Sequence, residues 1–179
     1  YLVGGQKFDG RYNPMGPDHG PGFSQQYSNQ IRKFRIKDDG TNLSIDSISI
    51  ITDEANLRRR DFNMLPQIFS GNIQGFTVFS GVFQVGANVP FLNTVDVVAE
   101  KHLAINTFNQ YLNHYHCAKV ALYDSANQRM ENIFFGGISQ YEENDGILTK
   151  NDDVPFTKVI GKITRDKNGK MMETKIGEM

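Results

Sequence analysis

The sequence has no tryptophan, one cysteine and no run of 18 apolar residues. Each absence excludes something. A single thiol, Cys117, rules out an intrachain disulfide, so the fold rests on its core and its backbone ladders. Without a long apolar run, no helix can cross a bilayer. Neither sign of charge dominates. Lys and Arg number 19 against 20 Asp and Glu, a net charge of −1, which argues against a general nucleic-acid binder. Helical periodicity is missing too; residues 52–60 come nearest and read as a loop or a single turn. There is no phosphate-cradling glycine loop, no Gly-x-Ser-x-Gly elbow and no Cys-x-x-Cys pair.

Phenyl rings are abundant, with 13 Phe and 7 Tyr, and they fill the core of what 179 residues make, one domain of real size. The run Ile133-Phe-Phe-Gly-Gly-Ile138 stops at two glycines and resumes. Phe76-Thr-Val-Phe-Ser-Gly-Val-Phe83 and Tyr1-Leu-Val-Gly-Gly5 have the same form. An apolar run fits a strand buried on both faces. The small pair fits a bend or a close approach of neighbouring chain. Val89-Pro-Phe91 and Val154-Pro-Phe156 follow the second and third pairs in the same order, so the chain reads as a repeat protein.

Strand-like segments fill each repeat. The first holds residues 1–3, a Gly/Pro-rich loop over 6–28, and strands 30–36 and 43–50 around the turn Asp39-Gly40. The second holds strands over 58–69, 75–83, 91–99 and 102–108. The third holds 113–123, 131–138, 156–164 and 170–176, with a polar loop over 139–153 and a hairpin turn at 165–169. Each complete repeat is thus four antiparallel strands in about 55 residues.

Four short strands with a glycine pair closing the second resemble the kelch repeat, a β-propeller blade. The resemblance rests on Val3-Gly4-Gly5, Phe79-Ser80-Gly81, Phe135-Gly136-Gly137, His116-Cys117-Ala118 and 29–34, and it covers nearly the whole chain. The wider set looks like secreted bacterial kelch-like proteins related to the central domain of galactose oxidase. The Ser-Gly pair and the absent Trp depart from the pattern. The resemblance implies an all-β chain of kelch-type blades: blade one, without its innermost strand, over 1–52, blade two over 53–108 and blade three over 109–179. Three blades do not close a propeller and leave open edges. The expectation is therefore a longer protein, or assembly with a second copy, at an extracellular or cell-surface location.

In such a fold the loops between the second and third strands, and those entering the innermost strands, share the ligand face. The candidates there are Phe8, Arg11, Tyr12 and His19; Arg58, Arg59, Arg60 and Asp61; and Asn113, His114, Tyr115 and His116. A guanidinium can grip a carboxylate or phosphate bidentately, or the arginines pair with Asp61 or Glu54 and are otherwise solvated. His114 and His116, two apart on a strand, face one way and suit zinc or copper. Alternatively His116 is a structural histidine of the repeat. The acidic turns Asp38-Asp39-Gly40 and Asn151-Asp152-Asp153 match no EF-hand spacing and read as turn chemistry rather than calcium sites. Galactose oxidase cross-links a tyrosine to a cysteine, but Cys117 takes the place of a small core residue, so its copper chemistry is not carried over. The leading expectation is a non-catalytic module binding a protein or glycan, with no nucleic acid, no transmembrane segment and no cofactor. The other is a carbohydrate-active or copper/zinc-dependent oxidoreductase.

Overall fold

The computed structural model describes residues 1–11 and 22–179. They form antiparallel β-structure with one four-residue helix and one 3-10 turn, and divide into two compact units, Tyr1–Arg60 and Asp61–Met179. No helix among them is long and apolar enough to cross a membrane. Tyr12, His19 and the glycines and prolines between 14 and 21 lie outside the described residues.

In the first unit, β1 (Leu2–Val3), β4 (Gln30–Asp38) and β5 (Leu43–Thr52) make a sheet in the order β1-β4-β5. Its hairpin turn is built by aspartates. Asp38 Oδ1 accepts from the Gly40 N–H, Asp39 Oδ1 accepts from Thr41 and Asn42, and Gly40 supplies φ 83°. Those N–H groups favour the charged carboxylate and hold Asp39 below its usual range. The stretch over 6–28 is not all loop. β2 (Gln6–Gly10) and β3 (Phe23–Tyr27) pair as a hairpin with Phe8 stacked on Phe23 at 5.1 Å. The glycines and prolines cluster between these strands and hide them in the sequence. The helix α1 (Glu54–Leu57) is capped by Asp53, whose side chain accepts from the Asn56 N–H at 3.1 Å.

The second unit holds two four-stranded sheets. One runs β6 (Asn63–Phe69), β7 (Ile73–Phe79), β8 (Thr94–Val98) and β9 (Lys101–Ile105) in chain order. The other has β10 (Ala118–Asp124), β11 (Arg129–Phe135), β14 (Val159–Arg165) and β15 (Met171–Glu178). A hairpin of β12 (Tyr141–Asn144) and β13 (Ile147–Lys150) interrupts the second sheet between β11 and β14. This corrects the reading of 139–153 as loop. Its turn is Asp145-Gly146 with φ 51° and 78°, a two-residue hairpin signal that stood in the sequence.

The small pairs share one backbone form. Gly4 and Gly5 have φ 63° and 106°, Ser80 and Gly81 have 44° and 92°, and Gly136 and Gly137 have 57° and 82°. Each is a double left-handed step just after a strand, β1, β7 or β11. Gly4 N–H donates to the Gln30 carbonyl at the start of β4 and Gly136 N–H to the Val159 carbonyl at the start of β14, both at 2.9 Å. A Cβ at Gly137 would stand 2.5 Å from Cys117 Sγ and 2.6 Å from the Tyr115 carbonyl, so glycine is required there.

The two sheets of the second unit pack through Leu65, Phe79, Cys117, Phe134, Ile163 and Met171. Phe79 and Phe134 meet edge to face at 5.2 Å, worth about 1 kcal/mol beyond the area they bury. Polar groups cross the same interface. Arg165 on β14 donates Nη1 and Nη2 to the Asp96 carboxylate on β8 at 2.7 and 2.6 Å; Thr77 donates to Asp96, and Phe69 covers the guanidinium at 5.0 Å. Nearby, Gln67 donates to Asn132, which donates to the Ile163 carbonyl.

The linker 106–117 leads from β9 to β10. Its residues meet β15 at Glu173, β14 at Gly161 and the end of β11 at Gly136. Asn113, at φ 52°, donates its side-chain N–H groups to the carbonyls of Gly136 and Val159 at 2.7 and 2.8 Å. A Cβ on Gly161 would collide with the Asn113 amide oxygen.

Removing one partner of a buried ion pair strands the other charge, so Asp96→Ala is expected to lower unfolding free energy by roughly 3–5 kcal/mol. The double variant Asp96→Leu/Arg165→Met should recover most of that loss. Urea unfolding of the three proteins checks this, and a loss under about 1 kcal/mol in Asp96→Ala would contradict it.

Candidate functional site

The arginine trio does not act as one grip. Arg59 is buried, and its Nε donates to the Asn56 carbonyl at 2.5 Å. Burial pulls its guanidinium down to about 9, opposed by the nearby Asp53 carboxylate. Arg58 and Arg60 instead lie over Tyr27, at 4.8 and 6.0 Å from the ring centre. Gln25 Oε1 accepts from both the Tyr27 hydroxyl and Arg60 Nη1 at 2.9 Å. A cation–aromatic cluster on the first unit results. Arg11 is exposed, and Phe8 is taken up by its stack on Phe23.

The expected histidine pair is not formed. β10 begins only at Ala118, because Asn113 and His116 take left-handed backbone at φ 52° and 57° and end the extended run before it. Two-residue spacing therefore does not put the rings on one side. His114 is fully buried and His116 is exposed. His116 Nε2 lies 3.7 Å from Asp61 Oδ2, and its ring is 5.5 Å from Tyr115. The structural histidine is His114, not His116. Its Nδ1 accepts from the Gln140 N–H and its Nε2 meets the Gln110 carbonyl, both at 3.0 Å. That pattern fixes the neutral ring with its proton on Nε2 and leaves neither nitrogen for a metal. Among the described residues, no three His, Cys, Asp or Glu side chains gather as a metal cage. Cys117 is buried with its Sγ against the carbonyls of Asn113, Tyr115 and Gly136, and burial pushes its thiol up to about 11. In the acidic turns, Asp152 accepts from Gln140 Nε2 and pairs with Lys150, both at 2.7 Å, and the Asp39 carboxylate is occupied by N–H groups.

Side chains converge elsewhere, where two of the expected loops meet. The linker residues Phe108, Asn109, Tyr111 and Leu112 face Glu143, Gly146 and Leu148 of the β12–β13 hairpin across Met171, Met172 and Glu173 of β15. They enclose an open groove of about 310 Å³. Its parts are pinned together. Tyr111 and Tyr141 pack edge to face at 5.0 Å, and Ser139 Oγ donates at 3.1 Å to the Tyr111 carbonyl. Lys175 on β15 donates to the Glu143 carbonyl at 2.9 Å and pairs with Glu178 at 2.6 Å. Glu173 takes the backbone N–H of Tyr111 at 2.7 Å and of Leu112 at 3.1 Å on its two oxygens. Burial nevertheless pushes its carboxyl up to about 8; the two N–H groups oppose the shift and Glu143 adds to it.

The groove was half visible in the sequence. The polar loop 139–153 and the connection entering the strand at 113 fall on the ligand face the resemblance implies, but nothing in the sequence singles out Tyr111, Glu143 or Glu173. Glu173 sits in the alternating stretch 170–176, where nothing distinguishes the inward carboxylate from a solvated one. Comparison of the chain with family models, curated proteins and solved structures finds no match.

Burial holds the His114 ring near pKa 4 against the Gln110 carbonyl, which raises it. A base whose folded pKa is depressed contributes stability above its ordinary value of about 6.5, and that contribution fades as pH falls toward 4, by up to about 3 kcal/mol. His114→Gln should therefore lose less stability than the wild type between pH 7 and 4.5 in urea titrations. Equal losses would contradict this role.

Proposed function

We propose that the chain consists of kelch-type propeller blades and serves as a non-catalytic binding module whose loop face takes a protein or glycan ligand. The blade reading draws support from the double left-handed step repeated after Val3, Phe79 and Phe135, and from the two chain-order sheets stacked face to face. The observation that carries the functional reading is the groove where the linker and the β12–β13 hairpin are fastened to β15. Loops fixed on a rigid scaffold are the usual carriers of recognition. Aromatic and Met side chains, as at Tyr111, Phe108 and Met172, suit contact surfaces that lose water on binding. The Tyr27–Arg58–Arg60 cluster on the first unit is a second surface of suitable composition.

Screening the whole chain against a displayed random-peptide library and an array of neutral and acidic glycans tests the module. Selected ligands are expected to lose at least about tenfold in affinity to Tyr111→Ala, the loss typical of a buried aromatic anchor. No selected ligand at all would overturn the reading. So would ligands indifferent both to Tyr111→Ala and to a paired Tyr27→Ala/Arg58→Ala variant.

A further inference from the structure

Resting on that reading, we infer that the groove between the linker and the β12–β13 hairpin receives the side chain of a lysine exposed on a protein partner. The walls and the base of the groove differ in chemistry. Leu112 and Met171 are buried along it, Leu148 and Met172 stand exposed at its rim, and two carboxylates, Glu143 and Glu173, lie within it. No Lys or Arg is among its lining residues. The neighbouring cation, Lys175, lies outside that lining; it donates to the Glu143 carbonyl, pairs with the Glu178 carboxylate and also feels the Glu143 and Asp145 carboxylates. The groove therefore combines an apolar passage with two carboxyl groups that no Lys or Arg of its lining neutralises.

A lysine side chain matches both parts. Its four-carbon stem covers apolar surface while its ammonium reaches a charged acceptor. Arginine matches less well. A guanidinium favours a fork on two carboxylate oxygens, and each Glu173 oxygen already takes a backbone N–H. An ammonium is a point charge and needs no fork. Burial, with a smaller push from Glu143, holds the Glu173 carboxyl up at about 8, and an arriving ammonium would favour its charged form. Affinity should accordingly rise between pH 6 and 9. The other titratable groups facing Glu173 are Glu143 on β12, Lys175 on β15 and Tyr111 on the linker.

The test uses the full chain and three acetylated, amidated tripeptides: Gly-Lys-Gly, Gly-norleucine-Gly and Gly-Arg-Gly. Binding is followed by amide shifts in NMR up to about 10 mM peptide, a range that reads millimolar dissociation constants. The lysine peptide is expected to shift the amides of Tyr111, Leu112 and Leu148, and to bind at least about tenfold more tightly than the norleucine peptide, as a charge-assisted contact demands. Glu143→Gln, whose backbone carbonyl keeps its bond to Lys175, should weaken the lysine peptide several-fold without disturbing the rest of the spectrum. Leu148→Ala should weaken it as well. Equal binding of the norleucine peptide, tighter binding of the arginine peptide, no shifts in the groove, or an unchanged Glu143→Gln would each overturn the inference. Library ligands that occupy the groove without a lysine would sink it and leave the binding module standing. A library without ligands would remove the module itself.

Discussion

A chain segment that crosses a sheet must find partners for its N–H and C=O groups without a strand ladder of its own. The linker 106–117 faces this constraint, and much of the second unit is arranged to meet it. Glu173 takes two of its N–H groups, Gln110 Nε2 donates to the Leu112 and Asn113 carbonyls, and His114 closes the Gln110 carbonyl and the Gln140 N–H. Asn113 ties the end of the linker to Gly136 and Val159. The glycine at 161 exists in this context because the Asn113 amide occupies the space a side chain would need. The polar residues that sequence reasoning takes for chemistry are thereby consumed by backbone.

The same solution prepares the groove. Because Glu173 must stay fixed to hold the linker, its carboxylate is set beside Phe108 and Met172 before any ligand arrives. Lys175 fastens the hairpin by the Glu143 carbonyl, with Glu143 itself among the residues that line the groove. Little ordering remains to be done on binding, which is how rigid sites keep their interaction energy. The ion pair of Asp96 and Arg165 and the Phe79–Phe134 contact secure the two sheets beneath.

The all-β architecture was legible in the sequence because its signals are local. Alternation in 43–50, aspartate-and-glycine turns and the small pairs after Val3, Phe79 and Phe135 each act within a few residues. The strands expected from 58 and 113 begin only at Asn63 and Ala118, because Asp61 in the one and Asn113 and His116 in the other turn left-handed. Nothing in their side chains announces that conformation, which the surrounding hydrogen bonds impose. For the same reason the expected His114–His116 pair does not form, and the structural role expected as the alternative for His116 falls to His114, while His116 is exposed. The groove depends on Tyr111, Glu143 and Glu173, which stand 32 and 30 residues apart in the chain and belong to three different elements. Only the tertiary packing makes them neighbours. The β12–β13 hairpin is a different case, because Asp145-Gly146 signalled its turn and the polarity of the flanking strands outweighed it.

Cys117 gives the molecule an internal clock. Its thiol is sealed under Gly137, ringed by three carbonyls and held in its unreactive protonated form by burial. A thiol-directed reagent meets it when the packing of the linker end against Gly137 opens. The rate of modification therefore counts the openings around Cys117, and it does so without an introduced label.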